Sequence, residues 1–201
     1  DFRCNFGSQS TKAHYINQNY LWCRTPVSSV VGRPMPVSVS LNRQQNSEEK
    51  FYMWYYNAPS VFRMPNDFGS IEGGNKVTLV GQNFKPFDWT NDIDNQNDTF
   101  CSFGALGKVP AQVLSQTEAE CISPANPQHL TTIPVKFTIN NQNYTDEEFM
   151  FTFYNPPNVV DTEPLIGSVN GGTVVNFWGS TFEKRNITCM FGSIEVKGTY
   201  I

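Results

Sequence analysis

The sequence predicts an all-β protein made of tandem β-sandwiches, with one complete unit flanked by two partial units. Three observations support this fold class: four short motifs recur at a nearly constant spacing, candidate strands alternate apolar with polar residues, and cysteines recur in pairs. No segment shows a sustained helical period, whereas strand patterns are frequent.

The repeat is the strongest of these signals. Its offset is 97 residues between the first two copies of one motif and 98 residues for the other three motifs. A period of this length is typical of one small β-sandwich domain and is far longer than a solenoid repeat. The repeated motifs are Cys-x-Phe-Gly (4–7, 101–104 and again 189–192), Cys-x-x-Pro (23–26 and 121–124), Tyr-Asn-x-Pro (56–59 and 154–157) and Gly-x-x-x-Gly-Gly (69–74 and 167–172).

The period divides the chain into three parts. Residues 58–155 hold a complete unit, residues 1–57 hold the C-terminal part of a unit, and residues 156–201 hold the N-terminal part of a third. A sandwich needs two facing sheets, so neither partial unit is expected to close its own core. Both contain the Cys-x-Phe-Gly strand, so they do not simply complete each other. The sequence leaves open whether a neighbouring chain lends the other strands.

Alternation predicts which residues of the complete unit face inward. Val77 and Leu79, with their repeats Val175 and Phe177, fall on one face of a strand, because successive side chains point to opposite sides. That face must be covered by a second sheet. The strands expected to cover it lie at 99–103, 133–139 and 149–154.

The Gly-Gly pairs precede each of these inward strands. Gly73 and Gly74 are followed by neither a helix nor Gly-Lys-Ser/Thr, so a nucleotide-binding loop is disfavoured. Glycine instead permits a positive φ, which predicts a tight turn between strands.

The five cysteines fit one disulfide per unit. Cys4 and Cys23 lie 19 residues apart, Cys101 and Cys121 lie 20 apart, and Cys189 repeats the first member of the pair. No two Cys or His residues have the close spacing of a zinc site. We therefore expect Cys4–Cys23 and Cys101–Cys121 disulfides, a partner for Cys189 beyond residue 201, and an oxidising compartment. Buried free thiols are the alternative.

Three N-glycosylation sequons agree with that compartment. They begin at Asn97, Asn143 and Asn186. Asn97 and Asn186 each lie shortly before the first cysteine of their unit, which predicts a glycan on one loop of successive units.

The charge balance disfavours some partners. A formal net charge of −4 and an isoelectric point near 5.2 argue against nucleic acid, which calls for basic patches. No run of 18 apolar residues occurs, so no membrane span is expected in this segment.

The order of the motifs resembles the IPT/TIG domain, an immunoglobulin-like β-sandwich. Each unit opens with an apolar strand near Pro, continues with the Gly-Gly turn, a Gly-x-x-Phe segment and the two cysteine motifs, and closes with an aromatic strand. The resemblance spans essentially the whole chain. Cysteine-bearing copies resemble the tandem IPT/TIG domains of extracellular proteins such as plexins and fibrocystin-like surface proteins. No cofactor is expected.

The complete unit departs from its neighbour by an acidic insertion between Phe84 and Cys101. Asp92, Asp94 and Asp98 resemble the start of a calcium loop, but the Gly and Glu that complete such a loop are missing. A solvated acidic hairpin is therefore favoured over a calcium site, and no metal is expected.

The closing strand of the first partial unit is aromatic on both faces. Alignment makes Phe51, Met53 and Tyr55 equivalent to the core positions Phe149, Phe151 and Phe153. Tyr52, Trp54 and Tyr56 then face outward as a candidate surface for proteins or sugars, unless a neighbouring segment covers them.

Catalysis has no support in the sequence. His14 and His129 occupy non-equivalent places in their units, and the sequence singles out no partners for them. The short proline-containing junctions instead predict a semi-rigid rod of sandwiches.

The sequence thus favours a non-catalytic segment of an extracellular or cell-surface glycoprotein, acting as spacer, filament or adhesion scaffold. Its partners would be other protein chains or neighbouring domains, and glycans in the alternative reading. That alternative is a carbohydrate-binding accessory module of a secreted enzyme, in which Tyr52, Trp54 and Tyr56 contact sugars. The abundance of Asn and Gln further suggests a surface coat or ciliary covering.

Overall fold

The computed structural model describes residues 2–48, 51–85, 98–129, 131–182, 184 and 187–201. These residues fold into strands joined by turns, with a three-residue 3-10 helix at Gly104–Leu106, so the predicted all-β fold class is confirmed. The strands are β1 (Arg3–Phe6), β2 (Gln9–Asn17), β3 (Tyr20–Cys23), β4 (Pro34–Ser40), β5 (Phe51–Trp54), β6 (Ser60–Arg63), β7 (Phe68–Ser70), β8 (Lys76–Gln82), β9 (Phe100–Phe103), β10 (Lys108–Val113), β11 (Glu118–Ile122), β12 (Thr132–Thr138), β13 (Phe149–Tyr154), β14 (Asn158–Glu163), β15 (Asn176–Ser180), β16 (Thr188–Phe191) and β17 (Ile194–Lys197).

Strands β6 to β13 form a β-sandwich from one continuous sheet that folds over on itself. The strand order is β6-β8-β11-β10-β9-β12-β13-β7. Strand β10 belongs to both layers, because its first half pairs with β9 and its second half pairs with β11. Pro110 ends the first half, where the strand changes partner, and proline has no N–H to give to a continuous ladder.

The core of the sandwich lies between these two layers. Val77 and Leu79 of β8 are fully buried, as alternation predicts, and they share the core with Phe103, Phe137 and Phe151 of the facing layer. Burial of side chains of this size contributes about 1.5–3 kcal/mol each to stability. The predicted covering strands are therefore present as β9, β12 and β13, with the short strand β7 added in parallel beside β13.

The Gly-Gly pair forms the predicted tight turn. Gly73 and Gly74 have φ values of 78° and 76°, and Gly171 and Gly172 repeat them at 77° and 78°. A Cβ on Gly73 would also lie 2.5 Å from the backbone nitrogen of Ala125, so the close approach of two chain segments excludes a side chain there.

Residues 3–54 form a separate five-stranded sheet with the order β3-β2-β1-β4-β5. These strands have the same order and pairing partners as β11, β10, β9, β12 and β13 of the sandwich. Cys4, Phe6 and Ala13 are buried on the inward face, but Phe51 is 66% exposed. The prediction of Phe51 as a core residue is therefore wrong, because the described strands of this sheet include no counterpart of β6 or β8 to cover that face.

Residues 158–197 form two hairpins, β14–β15 and β16–β17. The hairpin β14–β15 has the same register as the β6–β8 pair. The bulge between Val61 and Arg63 recurs 98 residues later between Val159 and Asp161. Val175 is half-buried whereas Val174 beside it is exposed, so the predicted inward face is kept in this repeat.

Candidate functional site

The structure forms both disulfides expected from the cysteine spacing. Cys4 of β1 is bonded to Cys23 of β3, and Cys101 of β9 is bonded to Cys121 of β11, with Cα–Cα distances of 6.2 and 6.4 Å. Because β9 and β11 lie in opposite layers, the second disulfide ties the two layers of the sandwich together. In the part of the chain that the structure describes, Cys189 forms no disulfide, and its partner stays a prediction.

The sequons divide between described and undescribed residues. Asn97 and Asn186 lie outside the described residues. Asn143 is exposed in the turn between β12 and β13, and the third residue of its sequon, Thr145, is buried beneath it. The Thr145 hydroxyl accepts a hydrogen bond from the backbone N–H of Phe137 at 3.1 Å, which fixes the turn with the Asn143 side chain accessible. Occupancy of the three sequons stays a prediction.

The acidic insertion falls mostly outside the described residues as well. Asp92 and Asp94 are not among them, and Asp98 is exposed. Within the described ranges, no group of three or more His, Cys, Asp or Glu side chains could hold a metal ion. The calcium interpretation therefore gains no observation in its favour.

The aromatic strand keeps only part of its predicted surface. Tyr52 and Trp54 pair with Pro36 and Pro34 on the outer side of β4, and Tyr52 is 53% exposed while Trp54 is half-buried. Tyr56 does not belong to this surface. It packs against the core of the neighbouring sandwich, so its prediction as an outward residue is wrong. Alternation fails there because β5 ends at Trp54 and the chain turns toward β6.

Burial of Tyr56 has an electrostatic consequence. Its hydroxyl is buried and finds no hydrogen-bond partner among the described residues. Burial disfavours the charged phenolate and raises the pKa of Tyr56 above its ordinary value. The hydroxyl of the adjacent Tyr55, by contrast, donates a hydrogen bond to the backbone carbonyl of Pro26 at 3.1 Å.

The start of the complete unit is held by a polar contact that recurs at the start of the next repeat. The side-chain amide of Asn83 donates to the carbonyl of Ala58 at 3.1 Å. At the equivalent place 98 residues later, the hydroxyl of Thr181 donates to the carbonyl of Pro156 at 2.7 Å. Both donors lie just after the strand that pairs with the first strand of their repeat, and both have a φ of 61°.

Sequence reasoning missed these donors, although a signal existed. Asn83 and Thr181 follow glycine by two residues in the repeated Gly-x-x-Phe segment, and both can donate a hydrogen bond. The positive φ is unusual for a β-branched threonine, so the repeated geometry shows a local constraint imposed by the junction.

The two histidines lie on separate elements. His14 of β2 stacks on Trp22 of β3 at a ring-centroid distance of 4.0 Å. The guanidinium carbon of Arg24 lies 6.0 Å from the ring centroid of the same Trp22. His129 lies in the turn after β11, where its backbone N–H donates to Asn126. His14 thus has a packing role in the sheet.

Comparisons with known proteins found a match to one family model and similarity to solved structures. The IPT/TIG domain model matches residues 64–153. Among solved structures, the plexin A4 full extracellular region with domains 1 to 10 aligns at a TM-score of 0.49 and 15% identity, covering 96% of this chain and 16% of that one. A second structure of that region, with domains 1 to 8, aligns at a TM-score of 0.42 and 15% identity, covering 89% of this chain and 24% of the other. The chain therefore spans less than a quarter of the length of either plexin structure.

No curated protein matches the chain. No helix among the described residues is long and apolar enough to cross a membrane. The matched residues 64–153 include strands β7 to β13 of the sandwich, with its Gly-Gly turn and its layer-crossing disulfide. Residues 64–153 accordingly match the IPT/TIG domain.

Proposed function

We propose that the chain is a non-catalytic structural and interaction segment of an extracellular or cell-surface glycoprotein. In this proposal, successive sandwich units occupy residues 1–57, 58–155 and 156–201 and form a semi-rigid array. The observation that carries the proposal is the packing of Tyr56, which belongs to the first unit, against the core of the sandwich that follows it. An array that holds the angle between its units can serve as a spacer or as an adhesion scaffold.

The junction is short as well as tied. Only residues 55–59 separate β5 from β6, and only residues 155–157 separate β13 from β14. Pro59 is buried, and proline restricts both its own φ and the conformation of the residue before it. The ring of Tyr56 packs on the sandwich core, so the connection also has an apolar contact. These features support a stiff connection over a flexible tether.

The extracellular part of the proposal rests on the disulfides. Structural disulfides persist in oxidising compartments and are rare in the cytosol. Cys101 and Cys121 are both buried and join the two layers, which is the position of a structural bond. The exposed Asn143 is compatible with a glycan. A ciliary covering has no support from these observations and forms no part of the proposal.

The interaction part of the proposal rests on the uncovered face of the five-stranded sheet. In the sandwich, the equivalent face is covered by the layer that contains β6 and β8. Strands of that kind would bury Phe51 and the half-buried residues Val37, Val39 and Met53. Neighbouring units or other protein chains are therefore the partners that this segment would take.

The aromatic residues of the first unit give little support to the alternative function, a carbohydrate-binding module. Stacking on a sugar requires an open aromatic face, whereas Trp54 is half-buried and Tyr56 packs on the sandwich core. Tyr52 alone does not form an aromatic platform, and we do not carry this alternative further.

Rotational diffusion tests the proposal. In ¹⁵N relaxation measurements on the whole chain, amides of residues 3–54 and of residues 60–154 should report one common correlation time, because a stiff junction makes them tumble together. A distinctly shorter correlation time for residues 3–54 would contradict a semi-rigid array. Mass spectrometry of unreduced native material, with linked Cys101 and Cys121 peptides and hexose on Asn143, tests the compartment.

A further inference from the structure

The first and third units each leave one strand edge unpaired among the described residues. Strand β3 ends the sheet order β3-β2-β1-β4-β5 and pairs with β2 alone, and β15 pairs with β14 alone. In the complete sandwich, the equivalent strands β11 and β8 pair with each other. The chain therefore carries both members of one strand pair, but on the two units that lie before and after the sandwich in the sequence.

The repeat offset of 98 residues predicts the register in which β15 would pair with β3. In the sandwich, β8 and β11 bury two directly opposed pairs of side chains, which are Leu79 with Ala119 and Val77 with Cys121. The equivalent pairs are Phe177 with Leu21 and Val175 with Cys23. All four of these side chains are half-buried in the single chain. Pairing in this register would remove the rest of their apolar surface from water, which favours association.

On the outer face, the same register would place two exposed aromatic side chains next to each other. Tyr20 is 58% exposed and Trp178 is 47% exposed. They stand at the places of Glu118 and Val80, which are directly opposed in the sandwich. The next residue, Gly81, donates its backbone N–H to β11's side of the pair. Glu118 and Val80 are therefore a non-hydrogen-bonded pair, in which opposed side chains approach most closely. Aromatic cross-strand pairs stabilise a sheet, so Tyr20 and Trp178 suit each other as partners.

The hairpin β14–β15 also supplies a large side chain for the uncovered face of the first unit. In the sandwich, Phe84 follows β8, is fully buried and packs on Phe137 of β12 with ring centroids 4.8 Å apart. The equivalent residues are Phe182 after β15 and Val39 of β4, and both are half-buried. Docking of the hairpin would bring Phe182 over Val39 and would close the same part of the core.

We propose that a second copy of this chain docks its β14–β15 hairpin beside β3, with β15 antiparallel to β3, and so completes the first unit. This docking rests on the proposed function, because a semi-rigid array keeps the first and third units of one copy apart. Hairpin β16–β17 stays outside the completed unit, since it repeats β9–β10 and since β1 and β2 already hold those places. Each copy offers one β3 edge and one hairpin, so the contact is head to tail and continues from copy to copy.

Sedimentation velocity of the whole chain tests the proposal. We expect the average mass to rise above 22.7 kDa with concentration and to pass the mass of a dimer, because a head-to-tail contact does not close on two copies. Two variants each block one side of the contact. Tyr20→Lys changes the acceptor edge, Trp178→Lys changes the donated strand, and both positions are exposed in the single chain. Each variant alone should associate at least about tenfold more weakly, since lysine replaces an aromatic residue where the strands meet.

Mixing the two variants separates a head-to-tail contact from other modes of association. The Tyr20→Lys copy keeps an unchanged donor hairpin, and the Trp178→Lys copy keeps an unchanged acceptor edge. The mixture should therefore form one-to-one dimers that do not grow further. Trp178 is paired with Asp161 across β14, so a lysine is compatible with its own hairpin. Recovery of association in the mixture would also show that both variants are folded.

The matched control is Met190→Lys, which changes an exposed residue of β16 outside the contact and should leave association unchanged. A mass of 22.7 kDa at every concentration would overturn the proposal. An assembly that stops at the dimer would also overturn it, because it would indicate pairing of two β3 edges. Unchanged association of either lysine variant, or a mixture that stays monomeric, would do the same. The stiffness of the array is measured separately, by ¹⁵N relaxation of the monomeric Trp178→Lys chain, so the docking and the proposed function can fail independently.

Discussion

The amide of Asn83 and the carbonyl of Ala58 lie 3.1 Å apart at the start of the complete unit, and Asn83 has a φ of 61° where it makes this contact. Thr181 makes the corresponding contact with Pro156 at the start of the next unit. A residue with an uncommon backbone conformation in two successive repeats marks the start of each unit as a selected geometry. A small change there should loosen the first residues of a unit without unfolding it.

Asn83→Gly should loosen the first residues of the complete unit selectively. Glycine accepts a φ of 61° without strain, so the variant removes the hydrogen bond to Ala58 while the turn after β8 keeps its shape. We expect lower order parameters for the amides of residues 60–63 in ¹⁵N relaxation. Asn141→Gly is the control, since Asn141 is also left-handed but lies in the β12–β13 turn. Unchanged order parameters in Asn83→Gly would show that this hydrogen bond does not anchor the start of the unit.

Tyr56→Phe should stabilise the chain or leave it unchanged, in contrast to Tyr55→Phe. The Tyr56 hydroxyl is buried without a partner in the described residues, so its removal should add up to about 1 kcal/mol to the free energy of unfolding. Tyr55→Phe instead loses the hydrogen bond to Pro26 and should cost about 1 kcal/mol. Urea denaturation of both variants measures the difference. The same sign for both substitutions would refute the assignment of their hydroxyls.

The pH dependence of Tyr56 follows from its raised pKa. Burial raises the pKa, so the folded state holds the phenolic proton more tightly than the unfolded state. Stability should therefore fall as pH rises above the ordinary tyrosine value of 10.0. Tyr56→Phe should show a shallower fall in the same range, measured by urea denaturation at a series of pH values.

Limited reduction should break the Cys4–Cys23 disulfide before the Cys101–Cys121 disulfide. Cys23 is half-buried, whereas Cys101 and Cys121 are both buried inside the sandwich. Thiol–disulfide exchange requires access of the attacking thiolate to a sulfur, so Cys4–Cys23 should be reduced first. Alkylation and peptide mass spectrometry after short exposure to dithiothreitol measure the order. Early alkylation of Cys101 or Cys121 would contradict the buried position of that bond.

The repeat and its alternation predicted most of the fold. Val77 and Leu79 could be placed inward because a strand alternates its faces, and Gly73 could be placed in a turn because glycine alone tolerates its backbone there. These properties are local and recur every unit. The family resemblance followed from the order of the same motifs, and the matched residues 64–153 fall in the unit expected to be complete.

The candidate sites were less predictable because they depend on neighbours distant in sequence. The alternation of β5 predicts that Tyr56 faces outward, but Tyr56 packs on the core of the following unit. Phe51 has a core position in the repeat, yet the strands that would cover it are absent from its sheet among the described residues. Periodicity encodes the face of a residue but carries no information about what lies opposite that face.

Ser60→Ala should raise the pKa of Glu147 toward its ordinary value. The Ser60 hydroxyl, at the start of β6, donates to the Glu147 carboxylate at 2.7 Å, and this hydrogen bond is the main cause that lowers the pKa of Glu147. A lowered folded-state pKa means that the contact stabilises the fold above the unfolded-state pKa and that this contribution is lost as pH falls through the folded-state value.

The measurement for Glu147 is a carboxyl ¹³C titration by NMR. Ser115→Ala is the matched control, because it removes a serine hydroxyl in the β10–β11 turn that bonds within its own turn to Thr117. Only Ser60→Ala should move the Glu147 titration upward. Since Glu147 is highly exposed, the shift should also shrink as salt or water competes for the carboxylate. An unchanged Glu147 titration in Ser60→Ala would mean that the Ser60 hydroxyl does not hold the carboxylate and that the backbone hydrogen bonds of Glu147 and Val61 account for its lowered pKa.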